Sequence, residues 1–188
     1  MLREFTEYPD RITALGTQAS NRIQKVKPSP TLAVTALAQQ LRAAGRDVVG
    51  LAAGEPDFPT PDHVKQAAID AIHDNQTKYT AVDGTVELKQ AIISKLKRDN
   101  KLDYTPEQIL VSCGGKHSFY NLTQALLDKG DEVIVPAPYW VSYPPMVELA
   151  EGTPIIIEAS SAQDFKISPE QLENAISDKT RMLVLNSP

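Results

Sequence analysis

Between residues 108 and 185, short apolar, β-branched runs alternate with stretches of helical spacing. This alternation limits the fold more than any other feature. Residues 108–112, 132–136, 154–158 and 181–185 read as strands, and 116–127, 140–150 and 168–176 as helices. Strands that are apolar at nearly every position are suited to burial on both faces. Their βαβα order predicts an α/β fold, a mostly parallel sheet flanked by helices.

Upstream the pattern differs. Residues 31–44 carry apolar side chains at 34, 37, 38 and 41, the spacing of one helical face, and Gly45 is placed to end that helix in a left-handed conformation. Residues 48–52 read as a short strand. Residues 54–61 hold three prolines and a glycine, which exclude helix and central strand and leave a shaped loop. Thr60-Pro61 reads as a helix opening, a capping hydroxyl before a proline, for a helix reaching about residue 75. A further helix reaches about residue 100, with apolar positions at 88, 92, 93 and 96. Residues 1–28 read as an extended polar arm.

Composition narrows the function. Nineteen Lys and Arg stand against 24 Asp and Glu, a net charge of −5, which argues against nucleic acid as a partner. No polybasic run suits an anionic membrane surface, and no apolar run is long enough to span one. A single cysteine, Cys113, forms no internal disulfide and fits a reducing, cytoplasmic setting. His63, His73 and His117 lack metal-ligand spacing and read as surface positions on helices, so no metal site is expected.

Three segments carry candidate chemistry, each at the carboxyl end of an expected strand. Ser112-Cys113-Gly114-Gly115-Lys116 joins a strand to a helix, where amides at the helix start favour an anion, or it is a tight turn with no ligand. A phosphate loop of the G-x-x-x-x-G-K-[ST] type would need glycine at 110 and Ser or Thr at 117, where Leu110 and His117 stand. The dinucleotide pattern fails as well. Pro136-Ala137-Pro138-Tyr139-Trp140 offers an indole for stacking, though a lone Trp taken by itself is better explained by a core or an interface. Asn186-Ser187-Pro188 offers an amide, or an ordinary turn. Ligands of open parallel sheets bind beyond the carboxyl ends of the strands. An anion cradle, an aromatic plate and an amide on neighbouring strand ends suit a flat phosphorylated ligand.

In this order and spacing, Ala53-Gly54-Glu55-Pro56-Asp57-Phe58, Lys78-Tyr79, Asp83-Gly84, Gly114-Gly115-Lys116, Pro138-Tyr139-Trp140 and Asn186-Ser187-Pro188 resemble the class I aminotransferases. The resemblance covers nearly all of residues 20–188. It lies in the bacterial branch that holds aspartate and prephenate aminotransferases. It implies pyridoxal 5′-phosphate as cofactor, with the amides of Gly115 and Lys116 on its phosphate, Trp140 stacked on its ring and Asn186 on its ring hydroxyl oxygen. Tyr79 would reach the phosphate of a neighbouring subunit, which implies a homodimer. Gly54, Trp140, Asn186, Lys116 and Lys27 would meet the substrate, an amino acid or 2-oxo acid, the two lysines favouring a distal carboxylate.

The same resemblance implies a division into residues 1–60, an N-terminal arm with part of the small domain, and residues 61–188, the first part of the large cofactor-binding domain. The acid paired with the ring nitrogen, the Schiff-base lysine and the arginine for the α-carboxylate would lie beyond residue 188. No catalytic residue is therefore assigned, and residues 1–188 alone are expected to be a truncated, inactive form. Aspartate transamination is the leading expectation. Prephenate or aromatic transamination, and non-catalytic binding of a phosphorylated ligand, are the alternatives.

Overall fold

A computed structural model of the chain describes residues 19–51 and 54–187. Its helices are α1 (Asn21–Gln24), α2 (Pro30–Ala43), α3 (Asp62–His73), α4 (Val86–Lys95), α5 (Gly115–Leu126), α6 (Tyr143–Leu149) and α7 (Pro169–Ala175). Its strands are β1 (Glu132–Ala137), β2 (Thr153–Glu158) and β3 (Thr180–Leu183). By contact the chain forms two compact units. One joins the described residues up to Ala33 with those from Lys116 onward, and the other is Val34–Gly115. No helix among the described residues is long and apolar enough to cross a membrane.

The first unit carries the expected parallel sheet, in the order β2-β1-β3. Val133, Ile134 and Val135 of β1 are wholly buried. Side chains alternate along a strand, so three consecutive buried residues mean that both faces of β1 are covered. Val133 and Val135 join Leu127, Val147, Ala150 and Val184 in one cluster, and Ile134 points the other way. Burial on both faces does not extend to the outer strands: Ile156 of β2 and Leu183 of β3 are more than a third exposed. A central strand is shielded by a neighbour at each edge, and these two strands have β1 on one side only.

Several expected boundaries move, each for a local reason. The helix expected from residue 140 begins at Tyr143. Pro144 and Pro145 lack an amide hydrogen and fit only a first turn, so the helix starts just ahead of them. Residues 108–112 form no strand: the Ile109 amide donates to Pro106 and the Val111 amide to Asp83, at 3.2 and 3.1 Å, rather than to a ladder. Residues 48–51 are not a strand either, and Ala52 lies outside the described residues, as do Ala53, Pro188 and residues 1–18 of the arm. Within the arm, residues 21–24 form α1, capped by the Ser20 side chain. At α3 the first helical residue is Asp62, with Pro61 at the cap position and no side-chain cap, so Thr60 does not play the expected part. Gly45 does end α2 with a φ of +77°.

In the second unit, Thr85 caps α4 by accepting from the Leu88 amide at 3.3 Å. One turn in, Lys89 is buried and its ammonium donates to Asp83. That side-chain hydrogen bond, with one from Asp83's own backbone and the Lys89 charge, holds the Asp83 carboxyl below the usual carboxylate range. A carboxyl depressed in the folded state contributes stability above its unfolded pKa and loses it as pH falls through the folded one. Asp83→Asn should therefore lower the urea midpoint at neutral pH. The gap to the unsubstituted chain should close below about pH 4, as the carboxyl protonates. A gap that stays constant down to pH 2 would refute the coupling.

Candidate functional site

Within the first unit, short contacts link Lys116, Trp140 and Asn186. Beyond β1 the chain passes through a cis Ala137–Pro138 peptide to Trp140 and then into α6. The carbonyl of Trp140 accepts from the Tyr143 amide at 3.0 Å, a turn that brings their side chains together. The two rings meet edge to face, 5.4 Å between centroids and 89° between planes. Tyr143 also packs on Phe119 of α5 at 4.8 Å. Its hydroxyl donates to Asn186 Oδ1 at 3.2 Å, beyond the end of β3. Two expected site residues from separate strand ends are thus joined through one tyrosine.

Lys116, the second residue of α5, lays its ammonium over the indole, 5.1 Å from the ring centroid. An indole has two faces and the ammonium takes one. Gly115 opens the helix. A Cβ added there would meet nothing within 4 Å. The preceding Gly114 has a φ of +100°, a conformation that suits glycine and makes the sharp approach to α5.

Beside Trp140 lies a cleft of about 620 Å³. One wall is the segment from Lys25 to Pro30, and the other is formed by Lys116, Tyr139 and α6. Lys27 and Lys116 thus line the same cleft, as do Lys25 and Glu148. Gly54 and Tyr79 belong to the second unit. Both are exposed there, Tyr79 fully so, and a Cβ on Gly54 would meet nothing within 4 Å. Sequence reasoning passed over Tyr143, Phe119, Lys25 and Glu148. For the aromatic pair a signal existed: Tyr143 and Phe119 each follow a named residue, Trp140 and Lys116, by three positions.

This parallel sheet has an amide and an indole beyond the ends of its strands, and a lysine near the start of a glycine-led helix covers one face of the indole. The chain belongs to the aminotransferase class I and II family, whose model matches residues 46–188. That family uses pyridoxal phosphate. Among individual proteins, it is 62 % identical over 169 residues to the aspartate/prephenate aminotransferase of Nitrosomonas europaea, covering 90 % of this chain and 43 % of that protein. It is 55 % identical to the aspartate aminotransferase of Bacillus sp. strain YM-2, with the same coverage. Its structure is similar to that of the aspartate aminotransferase from Rhizobium meliloti, with a TM-score of 0.87 and 48 % identity over 92 % of this chain and 43 % of that one. It is equally similar to the Thermus thermophilus aspartate aminotransferase with maleate, at 0.87 and 49 % over 92 % of this chain and 45 % of that one. The chain thus spans less than half the length of these relatives.

Proposed function

We propose that this chain supplies the N-terminal half of an aspartate aminotransferase, which moves an amino group between L-aspartate or L-glutamate and 2-oxo acids. The observation that carries this reading is the cleft shared by Lys27 and Lys116 beside Trp140. Two ammonium groups on one cleft suit a second carboxylate, and the Thermus relative is described with maleate, a dicarboxylate. The Nitrosomonas relative's double name supports prephenate, another dicarboxylate, as an alternative substrate, and activity profiles of the complete protein would separate the two.

The residues also fit the cofactor. A Cβ on Gly115 would meet nothing within 4 Å, and the amides of Gly115 and Lys116 would hold the cofactor phosphate. Trp140 would stack on the ring. Tyr143 donates to Asn186 Oδ1, so the nitrogen end of that amide is left to donate to the ring hydroxyl oxygen and to the substrate carboxylate. Gly54 would meet the substrate's α-carboxylate side, and Tyr79 the phosphate in a second copy, as a homodimer requires. Bound pyridoxal phosphate supplies the electron sink for the pair released when the substrate's α C–H bond breaks. Residues 1–60 would form the arm and part of the small domain and residues 61–188 the first part of the large one, in a cytoplasmic protein.

Trp140 is the sole tryptophan, so its emission reports on this site alone. Titrating pyridoxal phosphate into the chain should quench that emission, and inorganic phosphate should compete. Gly115→Ala should weaken binding about tenfold, equivalent to about 1.4 kcal/mol, without changing the unfolding temperature. Absence of quenching at millimolar cofactor would defeat the reading.

A further inference from the structure

The cleft beside Trp140 holds two more charges than the functional reading uses. Four charged side chains line it: Lys25, Lys27, Lys116 and Glu148. Among the described residues none of the four stands in an ion pair. Three ammonium groups against one carboxylate leave the cleft with a net positive charge, although the chain as a whole is negative. Lys25 is held in place by more than chance. It is the C-terminal cap of α1, where its amide donates to Arg22 at 3.3 Å, and the next amide, of Val26, donates to Ile23 at 3.1 Å. The wall then continues through Pro28 and Pro30, whose rings restrict the backbone. Glu148 lines the same cleft from α6, half-buried and directly after the wholly buried Val147.

We propose that Lys25 and Glu148 are further specificity-determining residues, Lys25 strengthening and Glu148 weakening the cleft's attraction for a ligand's distal carboxylate. The inference rests on the reading of the cleft as the dicarboxylate site. Both residues act through the field rather than by a hydrogen bond of fixed geometry. At a partly solvated separation of several ångströms, one charge changes affinity by about three- to tenfold at low salt, and less when salt screens it.

Maleate and acetate serve as probes, with binding to the full chain measured by calorimetry at low and at 0.5 M salt. Lys25→Met should weaken maleate binding about three- to tenfold, and Glu148→Gln should strengthen it by a similar factor. Lys25→Arg should restore the parent affinity, acetate should respond less, and all effects should shrink at high salt. Circular dichroism melting of each variant separates a charge effect from misfolding. If Lys27→Met and Lys116→Met weaken maleate while Lys25→Met and Glu148→Gln leave it unchanged, this inference fails and the functional reading stands. If the parent chain does not bind maleate, both fail.

Discussion

Ile134→Ala should destabilise the first unit by about 2–5 kcal/mol, while Ile156→Ala should cost no more than about 1 kcal/mol. The substitutions are chemically identical and fall on neighbouring strands. Ile134 lies on β1, between two strands, and is wholly buried; Ile156 lies on the outer strand β2 and is 36 % exposed. Truncating a closed position removes the transfer free energy of the lost carbons and leaves a cavity that neighbours fill only in part. At the open position water enters and no cavity is enclosed. Unfolding in urea, followed by circular dichroism, measures both. Equal losses would mean that β1 is not the centre of the core. The consequence reaches the site, because β1 leads to Trp140 and the amide of Val184, just past β3 and two residues before Asn186, donates to the Ile134 carbonyl at 2.9 Å. Ile134→Ala should therefore also weaken cofactor quenching of Trp140, although no atom of residue 134 belongs to the cleft.

The parts legible in the sequence were those that local chemistry decides. β1, β2 and β3 were visible because β-branched runs bounded by Gly, Pro and polar residues have few alternatives. The helix from Pro169 was visible because Ser168, Pro169 and Gln171 make a proline-led capping box, and the structure has that box complete. Residues 108–112 misled for the complementary reason. Their composition suits a strand, but strand formation needs a partner, and the Val111 amide is taken by the Asp83 carbonyl. The candidate site divided in the same way. Lys116 and Trp140 could be named from the motifs that contain them. The Tyr143 to Asn186 hydrogen bond, and the presence of Lys25 and Glu148 on one cleft, bring together positions far apart in the chain, and no periodicity encodes such pairs.

Gly84→Ala should destabilise the second unit by roughly 2–4 kcal/mol, while Gly54→Ala should change its stability by less than about 0.5 kcal/mol. Both glycines belong to the motifs through which the chain resembles aminotransferases, yet physical chemistry separates them. Gly84 has a φ of +108°, where a side chain is strained whatever the space, and an added Cβ would lie 2.6 Å from Val111 Cγ2 and 3.0 Å from its Cβ. Val111 cannot easily retreat, since its amide is bonded to the carbonyl of Asp83, the residue before the glycine. Asp83 in turn is the partner of the buried Lys89. A methyl at position 84 therefore strains the turn and presses on the hydrogen bond and ion pair that fix it, which is why the larger estimate applies. At Gly54 a Cβ would meet nothing within 4 Å, so a methyl meets no obstacle. For a chain of this size the Gly84 loss corresponds to a melting temperature lower by about 4–16 °C, readily seen by calorimetry. A Gly84→Ala chain that melts with the parent would show that the Asp83–Gly84 turn does not hold this unit together. If the prediction holds, Gly84 is required for the fold, and Gly54, which the fold does not require, is left to be explained by what approaches its main chain.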